Sequence, residues 1–145
     1  MHHHRSSRRP ARRAFTLLEI IVVVTIIALL AALVAPRLLQ NVDKTKVSSA
    51  KAGCSAIAKQ LSIYLMDIGR STPEDDMDLS ILLQGPDDGG GSGGPYLSKA
   101  ADLIDPWKNE YYLRVPGEVN YDFDVVSNGA DGQPGGDGYN ADITN

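Results

Sequence analysis

Apolar side chains fill residues 15–35 almost without a break, and only Thr16, Glu19 and Thr25 in that stretch are polar. The 21 residues predict a helix of about 31 Å at ~1.5 Å per residue, enough for one bilayer crossing. Pro36 interrupts the run and predicts a kink or local melting, because proline removes one helix hydrogen bond and crowds the preceding turn. Beyond it the pattern becomes one stripe. Val47, Ala50, Cys54, Ile57, Leu61, Tyr64 and Ile68 recur at alternating spacings of three and four, with lysines and small polar residues between them. The pattern predicts one stem helix, kinked at Pro36, over about 15–68: hydrophobic all round in its first half, amphipathic in its second. Gly69 is its natural C-terminal cap.

Thr72-Pro73-Glu74 has the form of an N-cap, a proline at the first helical position and an acid in the first turn, and predicts a short helix to about Leu83. Residues 85–95 hold six glycines and two prolines and predict a flexible loop. A helical turn is expected within 96–103 and a turn over 105–109. Residues 110–115 and 121–127 alternate like strands and predict an antiparallel hairpin, to whose faces Trp107, Tyr111, Leu113, Tyr121, Phe123 and Val125 contribute. The fold class is α+β: a long N-terminal helix packed on a small antiparallel sheet. The expected segments are 1–14 as a basic leader, 15–70 as the stem with its membrane segment at 15–35, and 71–145 as a globular head.

Charge sharpens this division. Arg5, Arg8, Arg9, Arg12 and Arg13 precede the apolar run, and no acid precedes Glu19. The positive flank predicts a cytoplasmic N-terminus with the remainder across the membrane. A cleaved secretory signal is the competing reading, since the alanines of 28–35 offer small-residue cleavage sites. From Pro73 onward fifteen acids face three bases, a net charge of −12 that repels nucleic acid and suits cations. Cys54 is the only cysteine, so no intrachain disulfide forms; its place on the apolar stripe makes it a packing residue.

Two places carry candidate chemistry. Glu19 is a carboxylate in a stretch suited to lipid, which is costly and marks a functional position. It can lie near the interface, or pair with a positive charge from another chain. A cut between Ala14 and Phe15 would supply that charge as a new amine on Phe15. The second place is residues 127–142, with five glycines, three acids and little apolar surface. Such a segment is either a floppy acidic tail or a loop ordered by a hard cation such as calcium, which takes six to eight oxygen ligands. The EF-hand register fails, because with Gly132 at the sixth position Ser127 and Gly138 fall where acids are required. No catalytic set emerges: all three histidines lie in the first four residues, and neither a phosphate-cradling glycine motif nor zinc-ligand spacing is present. Asp75-Asp76 and Asp87-Asp88 read as solvated acids.

The junction Arg12-Arg13-Ala14-Phe15-Thr16-Leu17-Leu18-Glu19 resembles the processing signal of type IV pilin-like proteins. Ala14 replaces the glycine usual in that family, and Pro36 matches its kink. Further on, Gly94-Pro95-Tyr96-Leu97, Asp105-Pro106-Trp107-Lys108-Asn109-Glu110-Tyr111, Arg114-Val115-Pro116-Gly117, Tyr121-Asp122 and Ser127-Asn128-Gly129-Ala130-Asp131-Gly132-Gln133 are similar to the major pseudopilin family of type II secretion systems. The resemblance covers most of 14–145, with 88–94 as a local elaboration.

The resemblance implies a non-enzymatic filament subunit. It implies a prepilin peptidase cutting between Ala14 and Phe15, and assembly through Phe15 and Glu19. The expected partners are copies of the chain itself in a helical polymer, minor pseudopilins, an inner-membrane assembly platform and, before assembly, inner-membrane lipid; no nucleic acid is expected. The head would be periplasmic, and pseudopilus growth would drive folded proteins across the outer membrane. It also implies structural calcium in the C-terminal loop, with Asp131 as the main side-chain ligand, Asp137 next, then Asp142 and Asn140, and Asn128 supplying a backbone carbonyl. A type IV pilus major pilin, for adhesion or DNA uptake, and a secreted calcium-binding module are the alternatives.

Overall fold

The computed structural model describes residues 15–145, and for 35–40 the backbone alone. The expected leader, including Ala14, lies outside the described residues. Helix α1 spans Leu17–Asp67, 51 residues, and stays helical through Pro36, so the local melting allowed by the sequence does not occur. The chain divides into two compact units after Leu39, and the second unit, Gln40–Asn145, contains the amphipathic half of α1.

Within that unit the helical stripe forms the core. Ala50, Cys54, Ile57, Leu61 and Tyr64 are buried as the spacing requires, joined by Ala58 and Leu65. Val47 is half-buried and Ile68 exposed, so the stripe frays at both ends. Leu79, Leu82, Tyr111 and Val125 close over it. Gly53 lies in the helix interior because a Cβ there would strike the Tyr111 hydroxyl. That hydroxyl instead donates to the Ala50 carbonyl at 3.4 Å. The buried Cys54 thiol donates to the Ile143 carbonyl at 3.3 Å, and burial pushes its pKa up to about 11. It is a packing group, as its place on the stripe suggests. The helix ends in a Schellman cap: Gly69 has φ 71°, its N–H reaches the Met66 carbonyl, and the Arg70 N–H reaches that of Leu65.

Strands β1 (Tyr112–Arg114), β2 (Asp124–Ser127) and β3 (Ile143–Thr144) form an antiparallel sheet in the order β1-β2-β3. Leu113 lies opposite Val125, and Ser127 opposite Ile143. The hairpin matches the alternating pattern, with shorter strands. Strand β3 is absent from the sequence reading. All four residues of the central strand are buried. Tyr121 is 96% exposed and belongs to neither face, a correction that follows from its position outside β2, in the connection after β1.

Two further expectations change. No helix starts at Thr72: the helical element is a 3-10 turn, Leu79–Leu83, whose start is fixed by the Asp78 carboxylate accepting from the Ser80 N–H at 2.7 Å. Aspartate competes for backbone donors more readily than it sustains a helix, and here Asp78 wins over the Thr72-Pro73 signal. Nor is the glycine-rich segment unanchored. Asp67, the last residue of α1, accepts from the Ser92 hydroxyl and the Gly93 N–H, each at 2.7 Å, and from the Tyr96 hydroxyl. The Tyr96 bond, followed by those from Gly93 and Ser92, holds the Asp67 carboxyl below its ordinary pKa. Tyr96 also meets Tyr64 edge to face at 5.5 Å. The expected turn within 96–103 is present as the 3-10 turn Ala100–Leu103.

Candidate functional site

The first site is the start of α1. The Glu19 N–H donates to the Thr16 hydroxyl at 3.2 Å, and the Thr16 N–H donates to a Glu19 carboxylate oxygen at 3.4 Å. This is a capping box, which satisfies orphan donors at the helix start. The Thr-x-x-Glu spacing announces it in the sequence, and the reading of Glu19 as a charge alone misses it. The box holds the carboxylate beside the residue that follows Phe15. Immediately beyond lies Leu17–Val34, with mean hydropathy 3.1 and none of its 18 residues buried. Leu17, Leu18, Ile26, Ile27, Leu29, Leu30 and Leu33 are each at least half exposed. So much contiguous apolar surface requires lipid or a protein partner.

The second site is the C-terminal loop, and its foundation is the 105–109 turn. Asp105 is buried and accepts from the Trp107 N–H at 2.9 Å, the Asn109 N–H at 2.8 Å and the Ser127 hydroxyl at 2.6 Å. Ser127 closes β2, so this carboxylate ties the turn to the residue from which the loop departs. Asn109 Nδ2 donates to the Gly129 carbonyl at 3.0 Å. Gly129 has φ 65°, and a Cβ there would lie 2.8 Å from the carbonyl oxygens of both Tyr139 and Ala141. Only glycine allows the two ends of the loop to approach this closely. The sequence places Asp105 and Asn109 in a turn and Ser127 at the start of the loop without assigning them a supporting role; the Asp-x-x-x-Asn spacing of a side-chain-closed turn is the signal that could have given that role to two of them.

Four of the expected ligand residues fall into different settings. Asp131 is exposed and accepts from the Gln133 N–H at 3.1 Å. Asp137 is exposed and precedes the 3-10 turn Gly138–Asn140 without capping it. Asp142 has both oxygens engaged: one accepts from the Gly135 N–H at 2.9 Å, the other pairs with Arg114 at 3.2 Å. Arg114 is held in turn by Glu118 at 2.7 Å and the Tyr112 hydroxyl at 2.9 Å. Asp142 therefore closes the base of the loop on the sheet. Asn128 Oδ1 is shielded from solvent and has no hydrogen-bond partner.

No group of three or more His, Cys, Asp or Glu side chains is gathered for a metal among the described residues. Amide and carbonyl oxygens would have to complete any cation site here. The donors offered are all hard oxygens, one buried acceptor is orphaned, and backbone carbonyls crowd the space beside Gly129. The loop fits calcium chemistry on these grounds.

Residues 37–145 match the family model described as type II secretion system (T2SS), protein G, and residues 9–35 match the prokaryotic N-terminal methylation motif. The type II secretion system core protein G of Pseudomonas aeruginosa is 38% identical over 140 residues, covering 90% of this chain and 92% of that protein. Its counterpart in Xanthomonas campestris pv. campestris is 35% identical over 141 residues, covering 96% and 93%. The crystal structure of the major pseudopilin from the type 2 secretion system of enterohaemorrhagic Escherichia coli superposes with a TM-score of 0.59 at 28% identity. It covers 74% of this chain and 88% of that one.

Proposed function

The chain belongs to the type II secretion system protein G family, and from that premise we propose that it is the subunit that polymerises into the periplasmic pseudopilus. Growth of that filament would drive folded proteins across the outer membrane. The family is one of structural subunits, and the chemistry of this chain is the chemistry of assembly. The observation that carries the reading is the exposed apolar span Leu17–Val34 with Glu19 in its first turn. Lipid would cover that span before assembly, and neighbouring copies would cover it afterwards. The N-terminus would be cytoplasmic and the head periplasmic.

A prepilin peptidase would cut between Ala14 and Phe15 and methylate the new amine. The capping box keeps the Glu19 carboxylate at the end of the helix where that amine appears. Glu19 of one subunit would meet the Phe15 amine of the next, so that neither charge is left alone in an apolar filament core. Minor pseudopilins and an inner-membrane assembly platform are the further partners implied by the family. Replacing Glu19 with Ala should leave the chain in the membrane and stop filament formation, as read by membrane fractionation and electron microscopy of overexpressing cells. Filaments of normal length and number from the variant would refute the pairing.

Calcium in the C-terminal loop is part of the same proposal. Asp131 and Asp137 would hold it with their carboxylates, and Asn128 through its backbone carbonyl. A bound calcium ion supplies positive charge and oxygen coordination that fix a glycine-rich acidic segment. Asp142 is assigned to the Arg114 pair, with the task of holding the far end of the loop on the sheet.

A further inference from the structure

Asn128 occupies the N-cap of the 3-10 turn Gly129–Asp131 and makes no capping bond from its side chain. An asparagine at this position ordinarily accepts a backbone N–H through Oδ1. Here Oδ1 is shielded from solvent and paired with nothing. The other end of the same amide, Nδ2, reaches the Gly132 carbonyl at 3.5 Å, so the side chain lies across the turn that carries Asp131. The backbone beneath is already satisfied elsewhere: the Gly129 N–H donates to Ser127 and its carbonyl accepts from Asn109. A neutral oxygen withdrawn from water and aimed at no donor is costly unless something electropositive meets it. Carboxylates alone do not assemble a cation site among the described residues.

We infer that the side-chain oxygen of Asn128 is itself a calcium ligand, in addition to whatever its backbone carbonyl contributes. This rests on the calcium reading above and goes beyond it, since the resemblance assigns that position a backbone role only. An added neutral oxygen raises the ligand count without adding charge, which favours calcium over the smaller, strictly octahedral magnesium.

The test is calcium titration of the full-length chain in detergent, by calorimetry and by thermal melting with and without chelator. Wild type is compared with Asn128→Leu, Asn128→Asp and Asp131→Ala. Asn128→Leu should weaken calcium binding at least tenfold and narrow the preference for calcium over magnesium. Its melting temperature in chelator should equal or exceed that of wild type, because the orphaned acceptor is gone. Asn128→Asp keeps an oxygen at the same place and should bind calcium at least as tightly as wild type. It also serves as the test if the leucine variant fails to fold, since weaker binding by the aspartate variant contradicts the assignment. If wild type and Asn128→Leu bind calcium equally while Asp131→Ala does not, the loop holds calcium but Oδ1 is satisfied otherwise, for example by a buried water, and the inference fails alone. If wild type shows neither heat nor a melting shift with calcium, the calcium reading fails and takes this inference with it.

Discussion

Asp124 is fully buried, and it is the most completely satisfied acid in the head. Its carboxylate accepts from the N–H groups of Glu118, Val119 and Asn120 and from the Asn120 side-chain amide, at 2.7 to 2.9 Å. Burial raises its pKa, and these four donors together outweigh it, so the group titrates below the ordinary aspartate value. A depressed folded pKa adds stability that is present above the unfolded value, near pH 4, and lost as pH falls through the folded value. Acid melts should therefore show the head destabilised only below about pH 4, and Asp124→Ala should flatten that dependence. The same variant should cost about 2–4 kcal/mol at neutral pH, because it strands several buried donors at once. Gly53 is the second informative residue. Alanine is the better helix former by about 1 kcal/mol, yet Gly53→Ala should destabilise the head by roughly 1–3 kcal/mol, because the methyl group displaces Tyr111. A rise in melting temperature would contradict that packing.

At the scale of elements, legibility followed the length of the signal. The apolar span and the 3-4 stripe repeat over many turns, and the structure places a single helix there with the stripe inward. The β1–β2 hairpin was readable because Phe123 and Val125 alternate with aspartates and lead into a second β-branched residue, Val126. Strand β3 has two residues and no period to detect; its pairing is decided by β2, 16 residues or more away in sequence. Tyr121 was misassigned because the alternation of Tyr121, Phe123 and Val125 begins before the strand does, at Asp124. The predicted helix from Thr72 failed because its cap signal competed with a better one at Asp78. The glycine-rich elaboration was legible as a loop, but its anchor was not, since Asp67 lies 25 residues or more from the groups it binds. Asp67→Ala should speed amide hydrogen exchange at Gly93 by at least tenfold while leaving exchange in the buried stretch of α1 unchanged. Equal protection of Gly93 in both proteins would show that the loop holds itself. In the C-terminal loop the candidate acids were legible by type, whereas the pairing of Asp142 with Arg114 was not, since the two lie 28 residues apart.

At the scale of the whole molecule, one chain carries a head unit with its own buried core and, among the described residues, an apolar segment that buries none of its side chains. The head closes around Leu61, Leu82 and Val125, each fully buried. The span Leu17–Val34 buries nothing. Membership of the protein G family accords with that contrast, since on the function proposed above lipid would cover this span before assembly and neighbouring copies would cover it afterwards. Processing before Phe15 would be the step on which that exchange depends, since it would create the amine proposed to meet Glu19. Intact-mass and N-terminal fragment analysis of the protein recovered from bacterial membranes tests this most directly. The expected mature chain begins with N-methylated Phe15. A mature chain beginning near Pro36, as an ordinary secretory signal would leave it, would rule out pilin-type processing and with it the proposed assembly.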